Sequence, residues 1–288
     1  MRPWPLLGTA LFALASACGD SSDGGGAFAG AGGGAASGGA GGTANGGGSG
    51  LSGAGGSGAG VNLDAGFQDG DRGDGAGGNE GCGTSLTGMI RDFTDAHPDF
   101  EHSMGDDRGI VLADLGKDGK PVYAGEAGNP TTHGQTPFNQ WYRDTPGVNA
   151  SQPFTLTLKD GGNGVFSFED GEFFPIDGKL LGNQGRPHNY HFTFELHTKF
   201  RYSGGEVFTF TGDDDVFVFV NGKLGIDLGG VHGAESQTIK LDASAVALGI
   251  VRGGTYALDF FFAERHTVDS HFRIDTELTF IDCGGGVH

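Results

Sequence analysis

The chain is short of positive charge: 17 Lys and Arg stand against 36 Asp and Glu, a formal net charge of −19 over 288 residues. Phosphate backbones are repelled by such a surface, so nucleic acid is excluded as the expected partner and cations are the natural counterpart. An acidic, solubilising surface accounts for the same imbalance, so a bound ion needs a more local argument. Long hydrophobic runs are missing too, and the longest, Leu6 to Ala15, is too short to span a bilayer as a helix. No Gly-x-Ser-x-Gly turn and no phosphate-cradling glycine loop occurs, which removes two common catalytic plans. Tryptophan is scarce, with only Trp4 and Trp141.

Glycine is abundant instead. Sixty of the residues are Gly, concentrated between Gly19 and Gly78. Residues 18–80 are almost wholly Gly, Ala, Ser, Asp and Asn, a composition that cannot bury enough surface to offset its conformational entropy. They are expected to form a flexible linker with a root-mean-square reach of roughly 40 to 50 Å. Ahead of it, Met1-Arg2, the apolar run and the small residues before Cys18 read as a secretory signal at residues 1–17. In particular the segment resembles a bacterial lipoprotein signal, in which Cys18 would carry the lipid. Ordinary signal cleavage is the alternative. Assigning Cys18 to lipid leaves Cys82 and Cys283, at the two ends of the foldable region, as a disulfide pair. A zinc site using these cysteines with histidines is the competing reading, without a short Cys-x-x-Cys spacing to support it.

From residue 81 to 288 the pattern changes to short apolar or alternating runs broken by Gly, Asp, Asn and Pro. That is the signature of strands and turns, and no long stretch has a helical period. The expected fold class is all-β, a single antiparallel β-sandwich, with strands at Leu86–Phe93, Ile110–Leu115, Phe154–Lys159, Val165–Phe168, Tyr190–Tyr202, Glu206–Thr211, Val216–Val220, Leu224–Asp227, Gln237–Leu241, Thr255–Phe262 and Phe272–Ile281. A helical turn is expected near Ala243–Leu248. Asn221-Gly222 suits a type I′ hairpin turn, because both residues tolerate positive φ. The strand before it is apolar on both faces, Val216, Val218 and Val220 on one and Phe217 and Phe219 on the other, so it is expected to be covered on both sides. Most of the 23 phenylalanines alternate along strands and are assigned to the core. Trp141 and Tyr142 are kept as candidates for stacking on a sugar.

Three consecutive aspartates, Asp213-Asp214-Asp215, sit between two apolar strands, where their mutual repulsion costs stability unless a cation or several donors compensate. Ca²⁺ takes about six to eight oxygens, and this loop can supply two or three. A solvated acidic turn without an ion remains the alternative. Nearby in sequence, Glu264, Arg265, His266, Asp269 and His271, together with His232, form a second polar group. If the two loops meet, they can build an acid-base or zinc site, and Asp213 with Glu264 can be read as a glycosidase pair.

The segment Phe208-Thr209-Phe210-Thr211-Gly212-Asp213-Asp214-Asp215 through Val231-His232 resembles the signature of the fibro-slime domain. So do the run Leu258 to Thr276, the stretch Met89 to Phe93 with His97-Pro98-Asp99-Phe100, and Trp141-Tyr142-Arg143-Asp144. That family is related to the protective-antigen-type (PA14-like) β-sandwich of flocculin adhesins. The resemblance implies a Ca²⁺-dependent carbohydrate site in which adjacent aspartates joined by a cis peptide, here Asp213 and Asp214, hold the metal. It implies further donors from the loop Glu264 to His271, with Asp269 as the best oxygen donor. Asp215, His232, Glu264, Arg265, His266 and His271 are then the residues expected around the ligand. The reading that follows is an exported cell-surface or outer-membrane lipoprotein, not an enzyme, that binds carbohydrate or extracellular matrix and touches a membrane only through its lipid. A glycan-acting or metal-dependent hydrolase and a purely structural matrix component are the alternatives.

Overall fold

A computed structural model describes residues 82–101, 104–125 and 130–285. The signal at 1–17, the linker at 18–80 and the lipidation at Cys18 lie outside the described residues. In chain order the strands are β1 (Ser85–Asp92), β2 (Gly105–Asp106), β3 (Ala150–Thr157), β4 (Lys159–Gly162), β5 (Val165–Asp170), β6 (Phe192–Arg201) and β7 (Val207–Gly212). They continue with β8 (Asp215–Val220), β9 (Lys223–Leu228), β10 (Gly230–Val231), β11 (Glu235–Lys240), β12 (Thr255–Glu264), β13 (Phe272–Thr276) and β14 (Thr279–Asp282). Two helices, α1 (Gln135–Phe138) and α2 (Leu241–Leu248), are short.

The strands form two main antiparallel sheets. One runs β3-β1-β6-β12-β8-β9, with β14 also pairing β6; the other runs β11-β7-β13-β5-β4, and β10 pairs β2 in a separate ribbon. Alternation along β8 and β12 explains why these pack as a sandwich. Val216, Val218, Val220, Phe260 and Phe262 point between the two sheets, where Phe210 and Phe272 meet them from the other side. Phe217, Phe219, Phe261 and Ala263 point the opposite way, into a second core closed by Phe93, Phe100, Ile110, Phe138, Trp141 and Tyr142. The central strand is therefore covered on both faces, as its sequence requires.

The turn after β8 has Asn221 at φ 52° and Gly222 at φ 72°, the conformation a type I′ hairpin demands. Cys82 and Cys283 form the disulfide, with Cα atoms 4.9 Å apart. Three expectations fail here. Phe272–Ile281 is not one strand but is divided between β13 and β14, which lie in different sheets. Ile110–Leu115 makes no strand, only isolated bridges of Val111 with Tyr123 and Asp114 with Lys223, because its apolar residues Ile110 and Val111 are spent as plugs of the second core. Trp141 and Tyr142 are buried to 0 % and 1 % exposure. They pack as core aromatics, so no face is offered to a sugar. Trp141 Nε1 donates to Asp99 Oδ2 at 3.0 Å, which satisfies the buried indole.

Candidate functional site

The aspartate triplet occupies the β7–β8 connection at one end of the sandwich. Gly212 opens it, and only glycine fits there: a Cβ on Gly212 would stand 2.2 Å from the carbonyl oxygen of His271. That close approach brings the loop between β12 and β13 onto the triplet. The amide of Asp213 donates to the His271 carbonyl at 3.3 Å, and the His271 amide donates back to Asp213 Oδ1. The two loops that the sequence places 50 residues apart thus meet as one unit.

Each aspartate has its own task. The peptide between Asp213 and Asp214 is cis. Asp213 Oδ2 lies 3.0 Å from His271 Nδ1, and this hydrogen bond is the main reason the His271 imidazole is held above its ordinary pKa, against a smaller opposing effect of burial. Asp214 accepts the His232 amide on Oδ1 at 3.1 Å and the Arg265 amide on Oδ2 at 3.0 Å. Burial pushes its carboxyl up to about 7; Arg265 opposes this, and the neighbouring charges of Asp215 and Asp213 add to it. Asp215 faces the other way and is spent on Arg265, whose Nε and Nη2 bond its two oxygens at 2.6 and 3.0 Å.

Arg265 has no exposed surface and lies over the Trp141 ring at 4.7 Å. Burial opposes its charge, but Asp215, Asp214 and Asp99 outweigh that and raise its pKa above the usual guanidinium value. Asp215, Glu264 and Arg265, expected around the ligand, are all 0 % exposed and lie beneath the surface. Glu264 consequently does not face a bond held in the cleft against Asp213, as a glycosidase pair must.

Above them opens a cleft of about 120 Å³, lined by Asp213, Asp214, His232, His266, Asp269 and the exposed aliphatic side chain of Val268, among others. Asp213, Asp214 and Asp269 therefore share one cleft with His232 and His266, while His271 stands beside it on Asp213. Residues the sequence did not single out complete the support. Glu101 donates its amide to the Arg265 carbonyl at 2.7 Å and accepts the Thr267 amide at 3.2 Å, clamping the second loop. Thr131 accepts from Arg265 on its carbonyl and its hydroxyl. Its distance in sequence leaves no local signal for that role.

The donor chemistry suits a hard cation. Each carboxylate oxygen of Asp213 and Asp214 carries a single hydrogen bond and keeps a lone pair free. Arg265 is balanced by Asp215, and Glu264 beneath has no hydrogen-bond partner on either oxygen. Among the described residues no three His, Cys, Asp or Glu side chains stand ready-spaced around one point to hold a metal.

Residues 175–285 match the PA14 domain family. The chain is similar to two proteins of Dictyostelium discoideum: 40% identical to protein psiR over 214 residues, covering 68% of this chain and 21% of psiR, and 41% identical to protein psiD over 212 residues, covering 68% and 41%. The chain therefore spans well under half the length of these curated relatives. Among solved structures it is similar to the PA14 sugar-binding domain from RTX adhesin, with a TM-score of 0.32, 12% identity and coverage of 70% of this chain and 99% of that one. It is also similar to the Epithelial Adhesin 9 A domain from Candida glabrata in complex with Galb1-4GlcNAc, at TM-score 0.28, 14% identity and coverage of 72% and 97%. At TM-scores this low nothing is transferred from either structure.

Proposed function

We propose, from the premise that the folded part of this chain is a PA14-like domain, that it serves as an exported adhesion module binding carbohydrate at the cleft over Asp213 and Asp214, with Ca²⁺ held by those two residues. The observation that carries this reading is the docking of the 264–271 loop onto the aspartate triplet: it gathers Asp213, Asp214 and Asp269 at one cleft while Arg265, the nearest guanidinium, is consumed by Asp215. Bound there, Ca²⁺ would supply a hard charge that attracts hydroxyl oxygens. This chain's own residues orient and neutralise: Arg265 and His232 fix Asp214 through their amides, and His271 fixes Asp213. A cleft floored by carboxylates favours neutral polyols over uronate or sialate sugars. Export by the 1–17 signal and lipidation at Cys18 belong to the same proposal.

The test is a glycan array probed with the purified full chain in Ca²⁺ and in chelator, beside thermal melts of the same samples. Sugar signals that require Ca²⁺, a melting temperature raised by Ca²⁺, and loss of both in Asp214→Asn are the expected results. No shift on adding Ca²⁺ or chelator would remove the metal from the reading, and an array blank under both conditions would remove the sugar. For the anchor, Cys18→Ser is expected to release the protein from the membrane fraction, and unchanged partitioning counts against lipidation.

A further inference from the structure

Glu264 is anomalous. Among the described residues it is the acidic side chain that is both fully buried and without a hydrogen-bond partner on either carboxylate oxygen. A carboxylate in that state is expensive unless a cation, a proton or a set of donors compensates it. The nearest protein cation is not available. Side chains alternate along β12, so Arg265 projects to the opposite face from Glu264, where its guanidinium is engaged by Asp215, Thr131 and the Asp99 carbonyl. His271 is paired with Asp213. The Ser270 hydroxyl and the His266 amide lie near enough to favour the charged form of Glu264, but neither closes a hydrogen bond to either carboxylate oxygen, and burial outweighs both.

The position of Glu264 relates this anomaly to the aspartates. In the β12–β8 register Ala263 stands opposite Asp215, which sets the next residue, Glu264, beside Asp214. The peptide that follows Glu264 donates to Asp214 Oδ2. Burial raises the Glu264 carboxyl well above its ordinary range and the charges of Asp214 and Asp213 raise it further, against the weaker pull of Ser270 and the His266 amide. Three acidic groups are thus stacked from the cleft inward, Asp213 and Asp214 at its wall and Glu264 below, with the local guanidinium already neutralised.

We infer that Glu264 is the third anionic group of the cation site, a positioning residue that acts from beneath the cleft and sets how tightly Asp213 and Asp214 hold their ion. This rests on the Ca²⁺ reading proposed above. It carries a signature that a merely structural residue would not have. Removing the charge weakens the ion but relieves the empty protein, so Glu264→Gln moves the two states in opposite directions.

The experiment uses the full chain at pH 8 as wild type, Glu264→Gln, Glu264→Asp and Asp213→Asn. Calorimetric Ca²⁺ titration is paired with thermal melts in chelator. Glu264→Gln is expected to bind Ca²⁺ about tenfold or more weakly than wild type, and to melt higher than wild type in chelator. Glu264→Asp, which keeps the charge but withdraws it by one methylene, is expected to lose at least about threefold. Wild-type affinity in Glu264→Gln, or in Glu264→Asp should the Gln variant not fold, overturns the inference: Glu264 is then a buried neutral acid. If Asp213→Asn abolishes binding in that case, the Ca²⁺ reading stands without it. Absence of any Ca²⁺ heat in wild type overturns both.

Discussion

Arg265 has no exposed surface, yet its guanidinium makes five hydrogen bonds, to both oxygens of Asp215, to the carbonyls of Asp99 and Thr131 and to the Thr131 hydroxyl. The planar fork matches that arrangement, and a lysine ammonium does not. Removing the side chain leaves Asp215 buried without its partner, the situation in which a broken ion pair costs about 3 to 5 kcal/mol. Arg265→Met is therefore expected to lower the free energy of unfolding by roughly that amount, and Arg265→Lys to recover only part of it; urea titration in chelator measures both. A second buried group sets a pH dependence. The Asp92 carboxyl is pushed up to about 6 by burial, against hydrogen bonds from Asn189 and the Leu181 and Phe93 amides that pull it down. Because its folded pKa lies above the unfolded value, the folded state holds the proton better. Its stability contribution is complete below about pH 4 and is lost as pH rises through about 6. The midpoint of urea unfolding in chelator should fall between pH 4 and pH 7, and Asp92→Asn should flatten that slope. The same substitution turns an amide toward either the Leu181 N–H or the Asn189 amide, at a cost on the order of 1 kcal/mol.

At the scale of the element, the β7–β8 turn works because Gly212 lets the His271 carbonyl approach. Gly212 is paired on both sides, with Glu235 of β11 and Phe272 of β13, so the backbone has little freedom to yield. Gly212→Ala is expected to cost about 1 to 3 kcal/mol, as overpacking does, and to weaken Ca²⁺ binding, since it parts the two loops; a melt and a Ca²⁺ titration on one sample read both effects. Much of this element was legible. The apolar alternation of Val216 to Val220 and the Asn221-Gly222 pair fixed a hairpin strand covered on two faces, and the structure places Val and Phe on those faces as read. Glu264 was legible in principle too, for it shares a strand face with Phe260 and Phe262. What the sequence could not display was which loops reach Arg265. Thr131 and Asp99 arrive from an irregular stretch without period, where Ile110–Leu115 looks like a strand because local patterning cannot distinguish an apolar run that pairs from one that plugs. Trp141 misleads for a related reason, since composition marks a rare aromatic as a stacking candidate and is blind to the buried Asp99 acceptor that holds its indole.

For the whole molecule, strand order makes the ends of the domain meet. β6 carries β12 along its full length on one edge, so β1 and β14 share the other, β1 against Phe192–Glu195 and β14 against Lys199–Arg201. Cys82 just before β1 and Cys283 just after β14 are thereby brought together across a separation of 201 residues. A chain this acidic, with neighbours in the sheet far apart in sequence, has an expanded unfolded state, and tying its ends removes much of that freedom. The chain-entropy model sets the effect at no more than about 5 kcal/mol. The staple and the cation site are nonetheless separate. Asp92, at the far end of β1 from Cys82, pairs with Phe192, which pairs in turn with Glu264, and the 8 residues of β1 alone span about 25 Å. Replacing both cysteines by serine is accordingly expected to lower the urea midpoint of the full chain markedly while leaving the Ca²⁺ dissociation constant of the folded protein within about twofold of wild type. Calorimetry below the unfolding transition checks the second half, and a Ca²⁺ affinity that falls in step with stability would show that the β7–β8 site depends on the closure of the chain.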